Sequence, residues 1–232
     1  MGVSIHYSGR ITDKNKLPQL IDEVEEIASV HNWKYNIYER RFPENKITST
    51  IDSINSSGQH DGKLYGIDFT PEGSEPVSIC FLSNGRMSSI MQLFCWGEFK
   101  EEKTIVISSA TVTDQGELEI QQKEETLTAA DYNKYLCMCS TKTQYAGPEM
   151  HAMIIGVLRY VSKQYLSDFN LVDESQFWET NDKVLLKENF VRNTAIIEGF
   201  GCVLAENQRL ADEDWDSYIQ RIIKAFRSKE GH

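Results

Sequence analysis

The chain has 232 residues, of which 40% are hydrophobic and 25% charged, a balance typical of an ordered globular protein. Its net charge of −11 repels phosphate backbones, and its basic pair Arg40-Arg41 is too short to form a basic face. We therefore expect no nucleic-acid binding. The sequence has no run of 18 apolar residues, which predicts no transmembrane helix and no membrane partner.

The first predicted elements are a strand, a helix and a second strand. Polar and apolar side chains alternate over Ser4–Ile11, the helix Leu17–Val30 carries one apolar stripe, and alternation resumes over Trp33–Tyr38. Asn15 is the predicted N-cap of the helix, and Pro18 suits its first turn because a missing N–H is harmless there. Such a unit needs a sheet on which to bury its apolar face.

A polar loop and a β-rich stretch follow. Residues 43–62 are rich in Ser, Asn and Gly and predict a loop. Strands are predicted over Lys63–Phe69, Val77–Leu82, Thr104–Thr113 and Glu117–Gln122. Asn84-Gly85 is a strong hairpin signal, after which Arg86–Met91 forms either a return strand or a short helix.

The strand–helix–strand pattern then appears a second time. Its predicted members are Cys137–Thr143, Glu149–Leu166 and Phe169–Asp173, with Trp178 just beyond. Two further helices follow. The first is capped by Asn181 or Asp182 and runs to about Ile197, where Gly199 and Gly201 disturb its end. The second is capped by Asp212 and carries an apolar stripe that includes Trp215.

A boundary between two halves is predicted near residue 125. Lys123-Glu124-Glu125 interrupt the strand pattern, and Thr128 caps a short helix over Ala129–Leu136, which gives an N-terminal half 1–125 and a C-terminal half 126–232. The composition indicates no flexible linker, so we expect the halves to share one body. The predicted class is α+β, with a mainly antiparallel mixed sheet, two strand–helix–strand units resembling pieces of a ferredoxin fold, and helices mostly on one face.

The five cysteines indicate a reducing compartment. They are odd in number, form no C-x-x-C motif and occur at Cys80, Cys95, Cys137, Cys139 and Cys202. Most lie within apolar strand patterns, so we expect them to be reduced and buried, as in a cytoplasmic protein. We expect no cofactor and no bound metal.

Three blocks of sequence resemble a group of uncharacterised bacterial proteins. The blocks are Ser4-Ile5-His6-Tyr7-Ser8-Gly9-Arg10-Ile11, Asn32-Trp33-Lys34-Tyr35 and Gln176-Phe177-Trp178-Glu179-Thr180. The resemblance implies a bacterial, cytoplasmic protein of unassigned function, and it implies no catalytic motif.

The sequence lacks the motifs of nucleotide binding, zinc proteases and serine hydrolases, so candidate sites rest on local clusters. The first cluster is Cys137, Cys139, Glu149 and His151, where a strand end meets a helix start. These groups suit a zinc ion, or a cysteine nucleophile activated by His151. In the alternative, both cysteines pack as small hydrophobic residues and His151 lies on the flank of the helix.

The second cluster combines carboxylates with an aromatic residue. Trp178 and Glu179 lie close in sequence to Asp173, Glu174 and Asp182, at the exit of a predicted strand. Such a group can bind a hard cation, a sugar or a cationic ligand. In the alternative, the segment is a solvated acidic turn in which Trp178 covers the core and Asp182 caps a helix.

The third cluster is His6, Ser8 and Arg10, which share one face of the first strand. If that strand is central and covered, these polar groups need bonded partners, such as Thr141 or Lys142 of the second unit, and a ligand site is the expected use. If one face of the strand meets water, the three residues need no further explanation.

The leading hypothesis for function is a non-enzymatic protein-binding factor whose acidic surface meets a basic partner, as toxin-neutralising immunity proteins do. The alternative is a hydrolase or metal-dependent enzyme that uses His151 with the cysteines or Glu149 of the first cluster. A third possibility is a purely structural or oligomer-forming protein. A cavity shared by the polar faces of Ser4–Ile11 and Cys137–Thr143 would favour a ligand or an enzyme, and a flat, wetted surface would favour the interaction hypothesis.

Overall fold

The structure is a computed structural model that describes residues 2–43, 60–98, 102–112 and 118–230. Its strands are β1 (Ser4–Ile11), β2 (Lys34–Ile37), β3 (Tyr65–Thr70), β4 (Val77–Phe81), β5 (Met87–Ser88), β6 (Lys103–Val112), β7 (Leu118–Leu127), β8 (Cys139–Lys142) and β9 (Leu166–Asp173). Its helices are α1 (Leu17–Val30), α2 (Ile90–Trp96), α3 (Ala129–Leu136), α4 (Gly147–Tyr165), α5 (Phe177–Thr180), α6 (Lys183–Glu206) and α7 (Trp215–Glu230). The α+β class with antiparallel strands is confirmed.

The first sheet joins the beginning of the chain to its second half. Strand β1 lies between β8 and β9 and is antiparallel to both, with Tyr7 opposite Cys139 on one side and Leu171 on the other. Because β8 and β9 are then parallel to each other and connected through α4, they form a split β–α–β unit with β1 in its middle. The predicted ferredoxin-like topology is therefore present in the second unit.

The first strand–helix–strand unit is built differently. Its second strand, β2, belongs to a separate sheet with the order β2-β3-β4-β5, so the unit runs from one sheet to the other. Helix α1 packs against β3 in that second sheet. The predicted hairpin at Asn84-Gly85 is confirmed, because Gly85 has a φ of +84° and its N–H bonds the Leu82 carbonyl. The two units are therefore alike in sequence order but not in topology.

One hydrophobic core connects both sheets. Side chains of β1, α1, β3, β4, α4, β9 and α6 pack into a single buried cluster. The Tyr7 hydroxyl donates to the Ser78 carbonyl at 3.1 Å and accepts from the Ser78 N–H at 2.8 Å, which ties β1 to β4. A second, smaller cluster lies under α2 and α3, so the central strands β3 and β4 are buried on both faces.

Residues 103–127 form a two-stranded antiparallel hairpin of β6 and β7. The predicted interruption at Lys123-Glu124-Glu125 is wrong, because these residues continue β7 to Leu127 before Thr128 caps α3. The residues between the predicted strands Thr104–Thr113 and Glu117–Gln122, and most of the loop predicted at 43–62, lie outside the described residues. Within the described ranges, no helix is both long enough and apolar enough to cross a membrane.

The last two helices depart most from prediction. Helix α6 is capped by Asp182 and continues past Gly199 and Gly201 to Glu206, so the predicted end at the glycines is wrong. A Cβ atom on Gly199 would lie only 3.1 Å from the Phe226 ring, which indicates that this glycine lets α7 approach closely. Asp214, rather than Asp212, accepts the Ser217 N–H at the start of α7.

Candidate functional site

His151 lies at the centre of a fully buried polar network. It faces inward from the second turn of α4, and its side chain has no exposed surface. Its Nδ1 atom is 2.7 Å from Thr143 Oγ1, and its Nε2 atom is 2.9 Å from Ser175 Oγ and 3.2 Å from the Asp173 carboxylate. The Phe190 ring packs against the imidazole edge to face, with 5.5 Å between centroids.

Asp173 is the main acceptor of this network. It accepts from the Ser175 N–H at 2.8 Å, from the Ser175 hydroxyl at 2.9 Å and from the Trp178 N–H at 2.9 Å, in addition to His151. Burial alone would raise the pKa of the Asp173 carboxyl, but the hydrogen bonds and the attraction to His151 outweigh it, so the pKa lies below its usual value. Asp173 therefore carries a buried charge that its donors satisfy.

Ser175, His151 and Asp173 are the residue types of a serine hydrolase triad, but their arrangement here is different. In a Ser-His-Asp triad the imidazole nitrogen facing the serine is unprotonated and takes the serine proton. Here Nε2 faces an ionised carboxylate and must carry a proton itself, so it donates toward Ser175 and Asp173. Thr143, Ser175 and His151 are also fully enclosed, which leaves no approach for a substrate.

The network instead holds several chain segments together. The Thr143 hydroxyl lies 3.3 Å from the Val3 carbonyl, and Asn189 on α6 donates to the Ser175 carbonyl at 2.9 Å. It thus joins the N-terminal strand, the end of β8, α4, the β9–α5 turn and α6. Its role in this geometry is to position these elements.

The structure does not bring the first predicted cluster together. Cys139 lies four residues before Thr143 on the same extended segment, about 13 Å away along the chain, and burial raises the pKa of both the Cys137 and the Cys139 thiol. Glu149 is on the outer side of α4, where its carboxylate meets Lys187 at 3.1 Å. Among the described residues, no group of three or more His, Cys, Asp or Glu side chains has the arrangement of a metal site.

The third predicted cluster lies on an open face of the first sheet. His6 is opposite Ser140 and Val172, and it alternates with buried neighbours along β1. Its Nε2 atom is 3.7 Å from Glu174 Oε1, and the side chains of both are partly exposed. Ser8 is half-buried and Arg10 exposed on the same face. The polar faces of β1 and β8 thus share a wetted surface, which is the arrangement that favours the interaction hypothesis.

The second predicted cluster, which contains Trp178 and Glu179, lies on and around the short helix α5. The Arg159 guanidinium lies 5.3 Å from the Trp178 ring and bonds the carbonyl oxygens of Phe177 and Trp178, which ends the short helix α5. Glu179 is exposed, and Asp182 caps α6. Asp173 is buried in the His151 network, and Glu174 is partly exposed beside His6.

A further surface was not predicted: the tip of the α6–α7 hairpin. Trp215 was expected on a packed stripe, but 65% of its surface is exposed, as is 66% of that of Leu210 in the preceding loop. Arg209 lies over the Trp215 ring at 4.8 Å. Four acidic residues lie beside these apolar groups in the sequence: Asp212, Glu213, Asp214 and Asp216. We call this region, residues 207–216, the acidic tip.

The acidic tip stands on a packed helical hairpin. Val203 on α6 and Ile222 on α7 are buried, and the Phe200 and Phe226 rings meet edge to face at 5.7 Å. Glu213 bonds Arg221 at 2.8 Å, which fixes the loop against α7. The sequence signal was the run of acidic residues around one tryptophan, which is an unusual setting for a core residue.

Comparison with known proteins gives no relative for this chain: no family model, no curated protein and no solved structure matches it.

Proposed function

We propose that this protein is a non-enzymatic binding factor whose acidic tip docks onto a basic protein partner. The observation that carries the proposal is the exposed Trp215 side chain, flanked in sequence by acidic residues, at the end of the α6–α7 hairpin. Exposed tryptophan is costly to maintain in water, and tryptophan is among the residue types most often found to dominate binding energy at interfaces.

The charges of the acidic tip define the chemistry of the partner. Arg221 pairs with Glu213 at 2.8 Å, which leaves three aspartates against one arginine within residues 207–216. That excess of negative charge favours a positively charged surface and disfavours phosphate backbones. In such interfaces the charges mainly accelerate encounter, whereas the central aromatic residue slows dissociation once it is buried. Trp215 and Leu210 are therefore the expected anchors, and the carboxylates form the steering rim.

The structure offers less support for the enzyme alternative. His151 is enclosed and its Nε2 atom donates, so it is not available as a general base toward Ser175. The cysteines of the first cluster are buried, and burial raises rather than lowers their pKa. An activated cysteine requires the opposite shift.

We further propose a reducing, cytoplasmic location. All five cysteines are free thiols in the structure, and two of them, Cys95 and Cys202, are exposed. Exposed free thiols are unusual in proteins of oxidising compartments.

The test uses one tip variant and one matched control. Tyr145 is 71% exposed and has a lysine over its ring, as Trp215 has an arginine, but it lies outside the acidic tip. Purified wild-type protein, Trp215→Ala and Tyr145→Ala are used as bait in a bacterial extract, and bound proteins are quantified by mass spectrometry. The proposal predicts a basic partner, with a pI of about 9 or above, that wild type and Tyr145→Ala retain and Trp215→Ala loses.

The salt dependence gives an independent check. Recovery of the partner is measured between about 0.01 and 0.15 M ionic strength, over which the Debye length shortens from roughly 30 to 8 Å. The rate of association with a basic partner should fall as ionic strength rises over this range. The double variant Asp212→Asn/Asp216→Asn should associate more slowly than wild type at the lowest ionic strength, and its rate should depend less on salt. Identical capture by Trp215→Ala and Tyr145→Ala, or capture indifferent to salt, would overturn the proposal.

A further inference from the structure

A groove separate from the acidic tip lies between α4, α5 and α6. It has a volume of about 500 Å³, within the range of small-molecule sites. Its apolar lining is formed by Pro148, Ala152, Met153, Phe177 and Leu186. An apolar floor of this kind favours a ligand with a hydrocarbon or aromatic body.

The rim of the groove is basic, in contrast to the rest of this acidic chain. Arg159, Lys183 and Lys187 line it together with a single carboxylate, that of Glu149. Arg159 is held by Asn181 Oδ1 at 2.8 Å and by two backbone carbonyls, so it contributes fixed positive charge. Three cations against one anion, on a chain of net charge −11, select for an anionic ligand.

One exposed ion pair joins the two helices that form the groove walls. Lys187 Nζ on α6 lies 3.1 Å from Glu149 Oε1 on α4, and 61% and 73% of the two side chains are exposed. Pairs this exposed contribute little net stability, because water solvates both partners nearly as well. A ligand carboxylate placed in the groove can therefore replace Glu149 as the partner of Lys187 at small cost.

We infer that the groove binds a small amphiphilic carboxylate, with its apolar chain on the Met153 side and its carboxylate on Lys187. Lys183 lines the same groove and adds positive charge to it. The Glu149 carboxylate competes with the ligand for Lys187, so it acts as an internal inhibitor of binding. This inference does not depend on the acidic tip, which begins 20 residues after Lys187, roughly 30 Å along α6.

The probe is octanoate, titrated into full-length protein whose methionine methyl groups carry carbon-13. The Met153 methyl resonance, assigned with Met153→Leu, should shift with saturation at a Kd of roughly 1 mM or tighter. Octanol and octylammonium have the same chain without the anion, and both should bind at least about fivefold more weakly. Equal affinity for octanoate and octanol, or no shift at Met153, would overturn the inference.

Substitutions at three exposed residues test whether a ligand carboxylate replaces Glu149 as the partner of Lys187. Lys187→Gln should weaken octanoate binding about three- to fivefold, whereas Glu149→Gln should strengthen it by a similar factor, because Lys187 is then unpaired. Lys163→Gln, in the last turn of α4 and outside the groove, is the matched control and should change nothing. If Glu149→Gln weakens binding, or if all three variants bind alike, the carboxylate does not occupy the position of Glu149 and the inference is wrong.

Discussion

Replacement of Asp173 by asparagine tests whether the buried network holds the fold together. The substitution keeps the size of the side chain and removes its charge. Asp173 accepts four hydrogen bonds, two of them from the backbone N–H groups of Ser175 and Trp178, which contact different carboxylate oxygens. Whichever way the amide is turned, its NH₂ group faces one of these N–H donors.

The expected cost follows from that conflict. One buried N–H loses its acceptor, which costs about 1–3 kcal/mol, and the bonds that remain lose their charge-assisted strength. The Nε2 atom of His151 also loses its contact with a charged carboxylate. The unpaired N–H and the weakened bonds to a formerly charged acceptor together should destabilise Asp173→Asn by about 2–4 kcal/mol.

The assay is urea unfolding followed by tryptophan fluorescence and circular dichroism, with Glu174→Gln as the matched control. Glu174 is the exposed neighbour on the same strand exit, and its neutralisation should cost about 0.5 kcal/mol or less. A cost below about 1 kcal/mol for Asp173→Asn would refute the reasoning.

The pH dependence gives a second criterion. The folded-state pKa of Asp173 lies below its unfolded value of about 3.9, so its contribution to stability is complete above that pH and is lost as pH falls through the folded pKa. The difference in the free energy of unfolding between wild type and Asp173→Asn should therefore be largest at pH 7 and decrease below about pH 4. A difference in the free energy of unfolding that stays constant below about pH 4 would contradict the conclusion that Asp173 is charged in the folded protein.

Three further predictions concern glycine positions and thiols. Gly66→Ala should destabilise by at least about 2 kcal/mol by urea unfolding, because Gly66 has a φ of +138° and an added Cβ would overlap the Ile79 carbonyl oxygen. Gly156→Ala, in open space within α4, should instead stabilise by about 0.5–1 kcal/mol, and a loss would contradict its exposed position. Iodoacetamide at neutral pH should modify Cys95 and Cys202 and spare the three buried cysteines, so intact mass should show two rapid adducts; a third rapid adduct would indicate an activated thiol.

The sequence predicted the regular elements well where local signals were strong. The apolar spacing and Pro18 predicted α1 over Leu17–Val30, the same bounds as in the structure, and Thr128 predicted the start of α3. The predicted end of α6 was wrong because a glycine destabilises a helix by only about 1 kcal/mol. The contact of Gly199 with Phe226 on α7 outweighs this low helix propensity. Such a contact depends on how α7 folds back, which no local pattern encodes.

The candidate site was harder to predict for a similar reason. Glu149 and His151 were grouped because they are close in sequence, yet residues two apart on a helix point to nearly opposite sides. The true partners of His151 are Thr143, Asp173 and Ser175, which come from a strand end and a turn that only the sheet order brings together. The exposure of Trp215 was missed because its spacing on α7 fits a packed stripe, although the acidic residues around it pointed to the surface.

The most direct test of the proposed function is the affinity of the captured basic partner for Trp215→Ala and for Tyr145→Ala, measured at one ionic strength. If Trp215 anchors the interface, its truncation should cost at least about 2 kcal/mol, or about 30-fold in Kd, while Tyr145→Ala stays within about twofold of wild type. Equal affinities for the two variants would contradict the account.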